Sequence, residues 1–265
     1  MSPAKPIPLT GSLEGPADAP VLVLGNSLGT SRAVWDPQLA AFGGRYRLLR
    51  YELPGHGGTP AAAGPYTIAD LGAGVLRLLD AHGIGRAAYC GISLGGMIGM
   101  WLAAQAGDRI SALGLVCTSA YLPPADAWLD RAARARSSGM AAISEQVVGR
   151  WFTPAFAAAR PDVRAEFTAE LERTDPAGYA GCCEAIAAMD LRPSLPAISA
   201  PTLVIAGADD PATPPPHGAV IASGIARARL RVIRGAAHLA NVAAPAEVGV
   251  ALAEHLRAAG ADGDR

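Results

Sequence analysis

The stretch Ala87-Ala88-Tyr89-Cys90-Gly91-Ile92-Ser93-Leu94-Gly95-Gly96-Met97-Ile98-Gly99-Met100 decides the reading of this chain. An uncharged run leads into Gly-x-Ser-x-Gly, and small and apolar residues come directly after. The pattern describes a buried strand, a tight turn and a helix that starts without a linker. A serine at such a turn is strained, with its hydroxyl exposed, and glycines beside it let strand and helix approach closely. Ser93 is therefore the candidate nucleophile, and the N–H of Leu94 a candidate donor to an oxyanion.

The same pattern occurs earlier, as Gly25-Asn26-Ser27-Leu28-Gly29 after the apolar run Val21–Leu24. Its continuation, Thr30-Ser31 and then Trp35 and Pro37, is a looser entry into a helix. This copy suits a different task, supplying backbone beside the nucleophile, and Leu28 N–H is the candidate second oxyanion donor.

Further runs at 46–51, 113–117, 202–206 and 230–233 read as buried strands, and Ile68, Leu71, Val75, Leu78 and Leu79 recur at helical spacing. Strands alternating with helices predict an α/β fold with a mostly parallel central sheet flanked by helices. The alternation stops between about Tyr121 and Leu195, a stretch of short helical patterns bounded by Pro123-Pro124 and by Pro193 and Pro196. The expected organisation is a core domain from 1–120 and 196–265 with an inserted helical lid at 121–195. The cluster Pro211, Pro214, Pro215 and Pro216 is read as a stiff loop.

Five histidines compete for the role of base: His56, His82, His217, His238 and His255. Only His238 comes after the last strand through a flexible Gly235-Ala236-Ala237 link, so that its ring can reach over the strand ends and exchange a proton with Ser93. His56, in Pro54-Gly55-His56-Gly57-Gly58, sits in a tight turn where local hydrogen bonds are the ordinary use of histidine. The orienting carboxylate should end an earlier strand, and Asp209-Asp210 does so. Asp210 is chosen, with Asp209 expected to cap the turn. The other position for this acid, after Cys117, holds Thr118-Ser119-Ala120 and no carboxylate. The order Ser93, Asp210, His238 is that of α/β-hydrolases.

Neither a metal nor a cofactor is expected. No HExxH or similar ligand spacing occurs, and the early glycine loop lacks both the Lys-Ser/Thr ending of a phosphate loop and the Gly-x-Gly start of a dinucleotide loop. Charges nearly cancel, 22 Lys and Arg against 23 Asp and Glu, which points away from nucleic acid and anionic membranes as partners. The four cysteines, Cys90, Cys117, Cys182 and Cys183, form no CxxC pair and read as small buried hydrophobes of a reducing compartment. Met1–Leu9 carries three prolines and no apolar run, and the rest of the chain holds no uninterrupted apolar run of about 18 residues, so a cytoplasmic protein is expected. Oligomeric state is not legible.

From about Val21 to Leu256 the chain resembles the 3-oxoadipate enol-lactone hydrolases of the α/β-hydrolase superfamily. The resemblance is carried by Asn26-Ser27-Leu28-Gly29-Thr30, Trp35-Asp36-Pro37-Gln38, Arg150-Trp151-Phe152-Thr153-Pro154, Gly178–Ile186, Met189-Asp190-Leu191-Arg192, Ala206–Pro214 and Gly235–Leu239. It departs at Tyr51-Glu52-Leu53-Pro54, where Tyr-Asp-x-Arg would be expected. The resemblance implies a small lactone substrate with a carboxymethyl arm, opened through an acyl-enzyme without a cofactor in the degradation of aromatic acids. A free carboxylate on that substrate calls for a cation, for which Arg131, Arg134 and Arg150 are the candidates, with Trp128 and Trp151 as candidate walls. Two other readings stay open. One is a paralogue acting on another lactone or ester, for instance in natural-product biosynthesis. The other is a hydrolase-fold protein that binds a ligand or catalyses a non-hydrolytic rearrangement.

Overall fold

The computed structural model describes residues 7–261; the sequence reading of Met1–Pro6 lies outside the described residues. Seven strands form one sheet in the order β1-β3-β2-β4-β5-β6-β7. They are β1 (Thr10–Glu14), β2 (Val21–Gly25), β3 (Arg47–Glu52), β4 (Ala87–Ile92), β5 (Ile110–Val116), β6 (Thr202–Gly207) and β7 (Ala228–Ile233). Only β1 runs antiparallel, pairing with β3. Every residue of β4 and β6 is buried, the expected state of central parallel strands covered on both faces. β1 escaped the sequence reading because it lies at an edge, with both ends exposed and no apolar run to mark it.

Outside the stretch between β5 and β6, the described α-helices are α1 (Leu39–Phe42), α2 (Ile68–Ala81), α3 (Leu94–Gln105), α9 (Pro215–Gly224), α10 (Ala240–Ala243) and α11 (Pro245–Ala258). α2 begins at a capping box: Thr67 Oγ1 accepts the Asp70 N–H at 3.1 Å, and the Asp70 carboxylate accepts the Thr67 N–H at 3.0 Å. α3 packs on β2, β4 and β5, α11 on β5 and β6, and α9 on β6 and β7.

The proline cluster corrects one expectation. Pro215 and Pro216 lie not in a loop but in the first turn of α9, and His217 is therefore helical. Proline is tolerated there because the first N–H groups of a helix have no intrahelical partner to lose.

Between β5 and β6 the chain forms five α-helices, α4 (Ala125–Ser138), α5 (Ala141–Val148), α6 (Pro154–Ala159), α7 (Pro161–Glu172) and α8 (Pro176–Ala187). α4 packs along α8, and α5 along α7. The two connections of this insertion meet where Leu191 N–H donates to Ala120 C=O at 2.8 Å. α8 rests directly on the turn after β3: a Cβ on Gly178 would collide with the Pro54 carbonyl and Gly55 Cα. Among the described residues no helix is long and apolar enough to cross a membrane.

Candidate active site

Ser93 joins β4 to α3 with φ 53° and ψ −114°, a conformation L-residues rarely adopt. The surroundings hold it there. Its N–H donates to Val116 C=O at 2.9 Å, and its carbonyl accepts the Thr118 hydroxyl at 2.7 Å and the Met97 N–H at 3.0 Å. The glycines around it are sterically required: a Cβ on Gly91 would penetrate the Gly95 backbone, and one on Gly95 would penetrate that of Gly25. Leu94 is the first residue of α3, so its N–H has no carbonyl one turn back to bind.

The second Gly-x-Ser-x-Gly copy lies beside the first because β2 and β4 are neighbours with Gly25 opposite Gly91. Asn26 C=O accepts the Gly95 N–H at 2.9 Å, tying the two loops together. Leu28 stands at this junction and shares a cavity wall with Ser27 and Ser93.

His238 Nδ1 is 2.8 Å from Asp210 Oδ2, and the same carboxylate oxygen accepts the Thr213 hydroxyl at 2.7 Å. Asp210 Oδ1 accepts the N–H groups of Ala212 and Thr213 at 2.8 and 3.1 Å. Asp210 therefore caps its own turn, the task expected of Asp209, which is exposed. Burial by itself would raise the Asp210 pKa. The charge and hydrogen bond of His238 and the bonds from Thr213 outweigh it and bring the group down to about 2. With Nδ1 committed to Asp210, Nε2 is the His238 nitrogen left to exchange a proton. Ser93 and His238 line one cavity.

That cavity, of about 230 Å³, lies between the loops at the C-terminal ends of the strands and the insertion. The insertion contributes Trp128, Arg131, Val147, Arg150, Trp151, Tyr179 and Ile186 to its wall. Four of the five sequence candidates for substrate contact thus face it. Arg134 does not: it lies exposed on α4, outside the lining. The Arg131 guanidinium stacks 4.3 Å over the Trp128 ring. Trp151 packs edge-on against Phe167, and its carbonyl accepts the Leu239 N–H at 3.0 Å, next to His238. No Asp or Glu lines the cavity, and neither Arg131 nor Arg150 forms an ion pair among the described residues.

Tyr179 received no role from the sequence. Its hydroxyl is fully buried and makes no hydrogen bond of regular geometry, although burial and nearby thiols raise its pKa while the neighbouring Arg131 lowers it. Helix α8 is buried almost all round, so no amphipathic period singled the residue out.

The other histidines are placed elsewhere. His56 bonds to Pro54 C=O and Gly29 N–H, His217 to the Ser119 hydroxyl at 2.8 Å, and His255 to Leu113 C=O at 3.1 Å. All four cysteines are buried and free. Among the described residues no group of three or more His, Cys, Asp or Glu is placed to hold a metal ion.

Residues 20–245 match the family model described as the alpha/beta hydrolase fold. The chain is 39% identical over 242 residues to 3-oxoadipate enol-lactonase 2 of Acinetobacter baylyi, covering 91% of this chain and 90% of that one. The crystal structure of the enol-lactonase from Burkholderia xenovorans LB400 superposes with a TM-score of 0.91 at 41% identity, over 94% of this chain and 96% of that one. A thermophilic esterase from Thermogutta terrifontis superposes with a TM-score of 0.88 at 26% identity, over 95% and 93%.

Proposed function

The chain belongs to the alpha/beta hydrolase family, as an ester or lactone hydrolase, and from that membership we propose that it opens the ring of 3-oxoadipate enol-lactone to give 3-oxoadipate in aromatic-acid degradation. The observation that carries the substrate is the cavity itself: Ser93 and His238 share it with two arginines that form no ion pair among the described residues. A small lactone bearing a carboxymethyl arm supplies what those arginines lack.

In the proposed reaction His238 Nε2 takes the Ser93 proton as Oγ attacks the ring carbonyl, and Asp210 stabilises the imidazolium through Nδ1. The N–H groups of Leu28 and Leu94 receive the oxyanion. Collapse breaks the ring C–O bond, and His238 returns its proton to the departing enol oxygen. The enol becomes a ketone, so the leaving group is removed from the reverse reaction. Water then gives a proton to His238 and attacks the acyl-serine; collapse breaks the acyl–Oγ bond, His238 returns its proton to Ser93 Oγ, and the acid formed leaves as the second carboxylate after losing its proton to solvent. Residues 121–195 act as the lid, presenting Arg131 and Arg150 to the substrate arm, with Trp128 and Trp151 as walls. Arg134 is left out of this assignment because of its position.

The test monitors loss of the lactone by ultraviolet absorbance, with the lactone generated in situ. Fast turnover that falls about a thousandfold or more in Ser93→Ala supports both chemistry and substrate. A second reading, another small ester or lactone, draws on the departure at Glu52-Leu53-Pro54. Slow lactone turnover beside fast, Ser93-dependent hydrolysis of aryl esters would favour it. Loss of neither activity in Ser93→Ala would remove the serine mechanism.

A further inference from the structure

His56 takes no part in the proton transfers above, yet it is 1% exposed and bonded at both ring nitrogens. Nδ1 lies 2.8 Å from the Pro54 carbonyl oxygen, which can only accept. Nε2 lies 2.9 Å from the Gly29 amide nitrogen, which can only donate. These partners allow one state: a neutral ring with its proton on Nδ1 and a lone pair on Nε2. Burial favours that state, pushing the pKa down to about 4 against the opposing effects of the Pro54 bond and the Asp175 charge.

The lone pair acts on the turn that carries Leu28. Ser27 C=O accepts the Thr30 N–H at 3.2 Å and the Thr30 hydroxyl at 3.0 Å. Because the Ser27–Leu28 peptide is planar and trans, the Leu28 N–H points the opposite way. Gly29, third in this four-residue turn, has φ +85°. A four-residue turn allows two orientations of its central peptide, and only one of them requires a positive φ at the third position. The bond to His56 holds the Gly29 N–H in that orientation. Without it a buried amide loses its acceptor, and the central peptide, which joins Leu28 C=O to Gly29 N–H, can flip. That flip leaves the Ser27–Leu28 peptide in place but turns the Leu28 carbonyl over and changes the Leu28 ψ beside the N–H that the oxyanion is to meet. The His56 ring also lies against Tyr179, with centroids 6.4 Å apart and planes 25° apart, so the turn is braced by the cavity wall.

We propose that His56 is a positioning residue for the oxyanion hole, holding the turn that presents the Leu28 N–H by accepting the Gly29 N–H. The inference rests on the reading of Leu28 and Leu94 as the oxyanion donors.

The test compares two substitutions. His56→Asn keeps an amide able to donate to Pro54 but too short to reach Gly29; His56→Gln extends an amide oxygen towards the Nε2 position. Both are measured beside wild type for kcat and KM on an aryl ester and on the lactone, for inhibition by phenylboronic acid, which forms a tetrahedral anion on a nucleophilic serine, and for thermal midpoint. His56→Asn should lower kcat by about tenfold to a hundredfold, with KM little changed and boronate affinity falling in parallel. His56→Gln should recover most of both. An unchanged kcat in folded His56→Asn, or a fall in kcat with boronate affinity intact, overturns the inference. Should His56→Asn fail to fold, His56→Gln decides: near-wild-type kcat supports the acceptor role, and a collapse of kcat in a folded protein refutes it. A wild type that phenylboronic acid does not inhibit, with turnover surviving in Ser93→Ala, would show that the serine reading has failed, and the inference falls with it.

Discussion

Tyr179 and Glu52 are two buried side chains whose ionisation burial opposes, Tyr179 in the cavity wall and Glu52 at the end of β3. The Tyr179 hydroxyl lines the cavity without a regular hydrogen bond, beside Arg131. A substrate carboxylate would complete both groups, so Tyr179→Phe should raise KM for the carboxylate-bearing lactone about tenfold while leaving a neutral aryl ester unaffected. Steady-state kinetics on the two substrates check this; equal effects on both would reduce Tyr179 to a packing residue. Glu52, buried at the end of β3, accepts the Arg32 N–H at 3.1 Å and the Asn26 side-chain N–H at 3.3 Å. Burial raises its pKa from 4.5 to about 7, against the lowering effects of the Arg32 N–H, the Arg32 charge and Arg50, with Glu170 adding to the rise. The folded state therefore binds more protons than the unfolded chain between those two values, and stability should fall as pH rises through that window. The span is up to about 3 kcal/mol. Thermal melts at pH 5 and pH 8 should show the fall in wild type and little of it in Glu52→Gln.

At the scale of elements, the elbow works because strand, turn and helix approach more closely than any side chain at Gly95 would allow. Gly95→Ala places a methyl group inside the Gly25 backbone, which cannot yield without moving β2, and should destabilise by about 3 kcal/mol. Gly85→Ala is the control, since no heavy atom outside its chain neighbours lies within 4 Å of the new Cβ and no positive φ is needed there. It should leave the urea midpoint unchanged or raise it slightly. The central strands were legible in the sequence because burial on both faces demands unbroken apolar runs, as in β4 and β6. Edge elements obey no such demand, which is why β1 was not legible and why β7, with four consecutive exposed residues, begins two residues before its apolar run.

For the whole molecule, a net charge of −1 gives an anionic substrate no long-range attraction. Any attraction must come locally from Arg131 and Arg150, in a cavity without acidic lining. Raising ionic strength should therefore lower kcat/KM several-fold for the anionic lactone and hardly at all for a neutral ester, because the Debye length shrinks to about 8 Å at physiological salt. Replacing both arginines with alanine should abolish that difference. The insertion makes this local field possible: α4 carries Arg131, the turn after α5 carries Arg150, and α8 carries Tyr179. These three sites are brought together over a serine at the turn that follows β4.

The sequence alone determined the α/β fold class and the residues proposed for the reaction, Ser93, His238 and Asp210. Each follows a strand, Ser93 directly and Asp210 and His238 in the loops after β6 and β7, where backbone pattern, glycine spacing and chain order are local properties. It also marked Leu28 and Leu94, since both belong to Gly-x-Ser-x-Gly turns. Only the tertiary structure decided which insertion residues face the cavity. It separated Arg131 and Arg150 from Arg134, brought in Tyr179, and connected His56 to Gly29 across a separation of 27 residues. The physical reason is that direction towards a cavity depends on how short helices pack against one another. An insertion buried on many sides leaves no single period in the sequence from which that packing can be read.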